Sequence, residues 1–164
     1  MPGEATIRDA RRDDAEGFVR AYELAWDATL SEIVGRRLGE LASIEQRTET
    51  FRKSVAKTSP DARILVAERD GIVIGLAVCT RKRKTCELRA LYVVPDSWGS
   101  GVGRELMETG LEAMRDRGAR EAFLWVGEAN GRARRFYERE GWSADGETRV
   151  SEAGPREVRY QRAL

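Results

Sequence analysis

The chain of 164 residues contains no histidine. It can therefore form no Ser-His-Asp triad, no Cys-His pair, no histidine-ligated zinc site and no histidine-held haem. Any proton it moves must pass through Glu, Asp, Lys, Tyr, Cys or ordered water. Cysteine is scarce as well. Cys79 and Cys86 are the only two, they are not spaced as a C-x-x-C pair, and two thiols make no disulfide framework. They are expected as free thiols in a reducing cytoplasm. Long apolar runs are missing. The longest, Ile72 to Cys79, falls far short of the roughly 20 residues of a membrane helix. The opening Met1-Pro2-Gly3-Glu4 leads into charged Arg8 to Asp14 without the apolar core of a signal peptide. An excess of either charge is also lacking. The 29 Lys+Arg against 28 Asp+Glu leave a net charge of +1, which gives no general pull toward nucleic acid or an anionic membrane. What is present is the composition of an ordinary globular protein, 41% hydrophobic and 35% charged. The length suits one domain, residues 1–164, with a proper core.

The chain reads as a series of short elements. Thr6 to Arg8 is a strand candidate. Asp13-Asp14 are placed to cap a helix running to about Trp26, with Phe18, Val19, Tyr22 and Trp26 on one side. Leu38 to about Lys57 reads as a second helix, ended by Ser59-Pro60-Asp61. Strands follow at Arg63 to Glu68 and Ile72 to Thr80, joined by the turn signal Asp70-Gly71. The basic run Arg81-Lys-Arg-Lys84 reads as a solvated hairpin tip. Cys86 to Val94 is the next strand, and a turn centred on that run sets Cys79 and Cys86 nearly opposite each other. Gly101 to Arg117 is helical, with Val102, Leu106, Gly110 and Met114 on one stripe and Gly118 closing it. Ala122 to Val126 is a buried strand, Asn130 to Glu140 a helix stopped by Gly141, and two short strands end the chain near Thr148 to Val150 and Glu157 to Arg162. The order β-α-α-β-β-β-α-β-α-β-β implies an α/β (α+β) fold: a mixed sheet with helices on both faces.

The most informative segment is Val93 to Arg104, where a strand runs into Gly99, Gly101 and Gly103 and a helix begins among them. Glycines let a ligand approach the backbone closely, and a helix N-terminus offers unpaired N–H donors. The result is a pyrophosphate cradle. A dinucleotide fingerprint G-x-G-x-x-G is excluded because Arg104 stands where the last glycine belongs, and a nucleoside-triphosphate loop because no Gly-Lys-Ser/Thr follows. A glycine-rich turn that serves packing alone is the remaining alternative.

Glu87-Leu-Arg-Ala-Leu-Tyr-Val93, Pro95 and Trp98-Gly-Ser-Gly-Val-Gly-Arg104 resemble the acetyl-CoA motif of the GNAT superfamily of N-acetyltransferases. Downstream, Leu124-Trp-Val, Asn130, Ala133, Phe136-Tyr137 and Gly141-Trp142 are similar to that superfamily's second motif, N-x-x-A-x-x-F-Y-x-x-x-G-[FW]. The likeness covers about Leu65 to Trp142. It departs at Trp98, where the family's loop usually begins with Arg or Gln.

The resemblance implies a mostly antiparallel sheet of six to seven strands, splayed in the middle, with about four helices. It implies acetyl-CoA as cosubstrate, no metal, and transfer of the acetyl group to a primary amine. The pantetheine arm would lie along Leu91-Tyr92-Val93, and the pyrophosphate on Trp98, Gly99, Ser100, Gly101, Val102, Gly103 and Arg104. Asn130 would contact the arm, and Tyr137 would be the general acid aimed at the sulfur. For the base the resemblance offers Glu87 or a water chain. The alternative base position of some relatives falls on Trp125, which cannot serve, and Glu128 reads as loop surface. Among the basic residues around the two helix starts (Arg104, Arg132, Arg134, Arg135, Arg139), Arg104 is the one assigned to phosphate. The acceptor would enter past Tyr22 and Trp26, with Tyr160 on a further wall. A non-catalytic acyl-CoA sensor on the same fold is the alternative, a homodimer stays open, and neither nucleic acid nor membrane is an expected partner.

Overall fold

The computed structural model describes residues 3–57 and 59–164. Met1-Pro2, part of the segment read as lacking a leader-like core, lies outside them. The described residues form seven strands and six helices. Strand β1 (Thr6–Asp9) is followed by α1 (Ala15–Thr29), two single-turn helices α2 (Ser31–Val34) and α3 (Leu38–Leu41), and α4 (Ile44–Ala56). Then come β2 (Ala62–Arg69), β3 (Ile72–Lys82), β4 (Thr85–Val93), α5 (Val102–Asp116), β5 (Glu121–Gly127), α6 (Gly131–Arg139), β6 (Ser143–Val150) and β7 (Arg156–Ala163). The strands make one sheet in the order β1-β2-β3-β4-β5-β7-β6. Every pairing is antiparallel except that of β4 with β5.

Local chemistry sets these boundaries. Asp70 and Gly71 both take positive φ, 52° and 78°, as a tight two-residue hairpin turn requires. The expected single helix from Leu38 breaks in two. Ala42 is extended, and the Ser43 hydroxyl accepts the Gln46 N–H while the Gln46 side chain returns to the Ser43 N–H, a reciprocal cap that starts α4. The expected cap of α1 also differs. Asp14 makes no cap hydrogen bond to α1. Its carboxylate takes both Arg8 guanidinium nitrogens at 2.8 Å and the Arg11 N–H at 2.6 Å.

Side-chain alternation puts α1 and α5 on opposite faces. Tyr22 of α1 packs on Tyr92 of β4, with ring centroids 4.8 Å apart. On the other face α5 buries Val102, Leu106, Met107, Leu111 and Met114, each contributing about 1.5–3 kcal/mol. Gly110 lets the helix settle on β3, since a Cβ there would stand 2.6 Å from the Cys79 Sγ. Cys79 and Cys86 are free and buried. They sit on a diagonal rather than opposite, because Cys79 faces Leu88 and Cys86 faces Arg81.

The feature that positions the site lies between β4 and β5. They pair only over Thr85–Glu87 against Glu121–Phe123. Beyond that, β4 follows β3 to Val93 while β5 follows β7 to Gly127, so the expected splay is present. Arg89 is an extra residue in β4, between Leu88 opposite Cys79 and Ala90 opposite Val78. Such a bulge bends its strand and increases its twist, and this one lies just where β4 leaves β5.

Asp14 ties β1 to the start of α1 at only 9% exposure, and the Arg8 guanidinium holds its carboxyl below the usual carboxylate range. A depressed folded-state pKa stabilises the protein above the unfolded value of about 3.9 and ceases to do so as pH falls through the folded value. Asp14→Asn should therefore cost about 1–3 kcal/mol at neutral pH. The gap from wild type, measured by urea denaturation, should close progressively below about pH 4.

Candidate active site

Below the splay point β4 presents an edge with no strand partner from Leu88 onward, and its chain then enters the glycine loop. Gly99 and Gly101 have φ of 75° and 88°, which side-chain-bearing residues rarely adopt. An added Cβ at either would meet nothing within 4 Å, so both open onto free space. The N–H groups of Gly99, Gly101, Val102, Gly103 and Arg104 find no acceptor among the described residues. The loop is thus a row of aimed donors at a helix N-terminus, the requirement for holding a diphosphate.

Trp98 does not leave this corner uncharged. Its indole N–H donates to the Val93 carbonyl at 2.8 Å, which fixes the ring against the end of β4. The Arg132 guanidinium, from the first turn of α6, lies 3.4 Å from the ring centroid. Arg132 has no carboxylate partner among the described residues. Partial desolvation, then repulsion from Arg139, lowers its pKa, the condition of a cation lacking an anion. Arg104 is different: its guanidinium pairs with Glu140 at 3.3 Å, and its contribution to the loop is its backbone N–H. Sequence reading named Arg132 only among five arginines, because a stack between positions 98 and 132 leaves no local pattern.

The second motif sits on α6. Asn130 caps it, its side-chain oxygen accepting the Ala133 N–H at 3.2 Å. The Asn130 amide NH2 has no acceptor among the described residues and remains able to donate. Tyr137 is 9% exposed, packed edge-on to Phe136 and Trp142. Its hydroxyl has no hydrogen-bond partner among the described residues and is not completely sealed from solvent. Burial, then the nearby Cys79, pushes its pKa above the ordinary tyrosine value, which keeps the phenol protonated.

Glu87 stands on the opposite face. Its neighbours Cys86 and Leu88 join the core under α5, so alternation turns Glu87 outward, beside Thr80 and Phe123. It is half-buried and makes no ion pair among the described residues. Leu91 and Val93 share the α5 face, and Tyr92 turns the other way to Tyr22. Desolvation first, then the neighbouring Tyr22 and Tyr137, raises the Tyr92 pKa. Glu128 pairs with Arg156 at 3.6 Å on the surface.

Two expected wall residues belong elsewhere. Trp26 is only 5% exposed and lines no open surface. Tyr160 is 1% exposed, its hydroxyl accepting from Arg134 at 3.0 Å and donating to Glu138 at 2.7 Å, which fastens α6 to β7. Tyr22 is half-buried and packed against Tyr92. Among the described residues no group of three or more His, Cys, Asp or Glu could hold a metal ion.

Residues 18–142 match the Acetyltransferase (GNAT) family. The chain belongs to the GNAT family. An uncharacterized N-acetyltransferase of Archaeoglobus fulgidus is 34% identical over 139 residues, covering 80% of this chain and 88% of its own. A Mycobacterium bovis relative, also an uncharacterized N-acetyltransferase, is 37% identical over 90 residues, 54% of this chain and 58% of its own. Among solved structures, PaiA N-acetyltransferase from Thermoplasma acidophilum, in complex with coenzyme A, superposes with a TM-score of 0.83 at 20% identity, covering 99% of this chain and 100% of that one. YncA from Salmonella typhimurium, with its cofactor acetyl-CoA, gives 0.73 at 20%, covering 99% and 95%. At such identities these two structures speak for the fold.

Inorganic pyrophosphate is the simplest probe of the glycine loop. Calorimetry should show it binding wild type, and Arg132→Gln should weaken it about two- to fivefold, the range of an exposed ion pair. An unchanged affinity would leave Arg132 as a packing partner of Trp98 alone.

Proposed function

We propose that the protein transfers an acetyl group from acetyl-CoA to a primary amine by direct attack in a ternary complex. One observation carries the reading: an unpaired strand edge, Leu88 to Val93, runs straight into a loop of five unpaired N–H donors. A linear ligand with amides along its length and a diphosphate at one end matches that surface, and coenzyme A bound to GNAT relatives is such a ligand. When bound, acetyl-CoA supplies the activated thioester.

The residues then have distinct tasks. The N–H groups of Gly99 and of Gly101 to Arg104 take the diphosphate, with Arg132 as counter-charge. The free edge at Leu91 to Val93 pairs with the pantetheine amides and gives the thioester oxygen an N–H donor, which stabilises the oxyanion of the tetrahedral intermediate. Asn130 donates its free amide to the arm while capping α6. Glu87, on the acceptor face, removes the amine proton directly or through water, because an amine of pKa about 10.4 attacks only when neutral. The nitrogen forms its bond to the carbonyl carbon, the C–S bond breaks, and Tyr137, on the other face, offers its O–H to the departing sulfur. Cys79 and Cys86 stay reduced in the cytoplasmic setting this reading supposes.

The alternative is a sensor that binds acetyl-CoA without turnover. A hydroxyl and a carboxylate, each without a protein partner and on opposite sides of the splay, favour chemistry. Tyr137→Phe keeps the ring and removes the hydroxyl. Single-turnover acetyl transfer should slow by ~10²–10⁴ with acetyl-CoA affinity little changed; a normal rate would return Tyr137 to packing. Glu87→Gln should lower the rate chiefly at low pH, where the acceptor amine is most protonated. A pH–rate profile that overlays wild type would assign proton removal to water.

A further inference from the structure

The basic run Arg81 to Lys84 reads from sequence as a solvated tip. In the fold it is one wall of a groove of about 820 Å³, lined by Thr80, Arg81, Lys82, Arg83, Lys84, Thr85, Glu87 and Phe123. Thr80, Glu87 and Phe123 are register neighbours across β3, β4 and β5 and form its floor. The groove therefore starts at the proposed base and runs along the acceptor face toward the hairpin.

Its charge is one-sided. Four successive cations face a single carboxylate, Glu87. Arg81 is bound to Asp61, and its guanidinium also donates to the Arg83 carbonyl at 2.6 Å. Lys82, Arg83 and Lys84 have no acid partner among the described residues, and Glu87 has no cation partner. Glu121, beside the rim, accepts from the Thr85 hydroxyl at 3.3 Å and is not part of the groove's lining. The groove thus offers one place for an amine, at Glu87, and a separate one for negative charge, at Lys82 and Lys84, with Phe123 in the lining to meet a short carbon chain.

Resting on the acetyl-transfer reading, we propose that the acceptor is a small primary amine carrying one anionic group, a carboxylate or a phosphate, which the Lys82–Lys84 rim holds while the amine meets Glu87. A polyamine brings its remaining positive charges against three unpaired cations, and like charges within a Debye length of about 8 Å repel.

Matched acceptors test this with acetyl-CoA in excess and thiol release as the readout: 4-aminobutyrate against butylamine, O-phosphoethanolamine against ethanolamine, and spermidine as the polycation. Wild type should prefer at least one anionic amine over its neutral match and over spermidine by about tenfold in kcat/KM, or 1.4 kcal/mol. The two anionic amines tell carboxylate from phosphate. The variant K82E/K84E should reverse the ranking; Arg83 is left in place because its φ of 57° makes the turn sensitive. Added sodium chloride should narrow the preference in wild type, which needs no variant to fold. A wild-type preference for spermidine or the neutral amines, a ranking that survives K82E/K84E, or a preference indifferent to salt overturns the proposal. If acetyl-CoA binds and no amine releases thiol, the transfer reading falls instead. The groove is then judged by titrating both anionic amines into CoA-loaded protein. Binding that K82E/K84E weakens about tenfold supports it, and absence of binding overturns it.

Discussion

Between β4 and β5 the sheet gives up its hydrogen bonds after three residue pairs, and the candidate site is arranged around that loss. A strand edge inside a sheet normally finds a partner, because unpaired buried N–H and C=O groups are costly. Here neighbouring elements keep the gap open. β3 holds β4 along one side, β7 holds β5 along the other, and the extra residue Arg89 turns β4 away. The helices α5 and α6 cover one face and α1 the other. Tyr137 therefore lies on one face of the sheet, and Glu87 and Tyr22 on the other. A parallel pair with full register would bring the same residues to the same faces and leave no space between them.

Electrostatics follows the same division. With 29 basic and 28 acidic side chains, a number of arginines are paired: Arg8 with Asp14 and Glu68, Arg104 with Glu140, Arg159 with Asp145, Arg162 with Glu108. Two groups of cations without an acid partner among the described residues border the site. Arg132 lies beside the glycine loop, and Lys82, Arg83 and Lys84 rim the groove beyond Glu87. Net neutrality, which argues against a polyanionic partner for the whole molecule, does not argue against a small anion at either place.

What could be read from the sequence follows how local each cause is. The glycine loop was legible because positive φ at Gly99 and Gly101 is written in the residue type itself. The start of α6 at Asn130 was legible because the signal that begins a helix acts over three residues. The reciprocal cap at Ser43 and Gln46 was equally local, but the helical reading ran across it, since Leu38 and Leu41 continue the apolar spacing into α4. The bulge at Arg89 has no residue signature. It reflects β4 having to satisfy β3 while diverging from β5, a conflict that exists only in the assembled sheet. Trp26, Tyr160 and Arg132 were misplaced or passed over for a related reason. An aromatic or an arginine on a helix or strand is equally suited to core, wall or ligand, and only the tertiary neighbour decides, as Arg134 and Glu138 do for the Tyr160 hydroxyl.

The position of Tyr137 also bears on how it would act in acetyl transfer. Burial raises its pKa, whereas a thiol has a pKa of about 8.5. A phenol that is the weaker acid does not hand its proton fully to a thiolate, since that leaves a buried phenolate in place of a more stable anion. It can share the proton. A hydrogen bond from a neutral donor to a developing anion is strong in a low-dielectric setting, and it needs no net transfer until the sulfur takes a proton from solvent or from the newly formed, acidic ammonium. The raised pKa thus holds the donor in its neutral form at every working pH, with the O–H already placed when the C–S bond breaks. In that role the apolar packing of α6, with Phe136 and Trp142 around the ring, would hold the donor in place and in its neutral form, so that the fold's core and the proposed chemistry make the same demand on this residue.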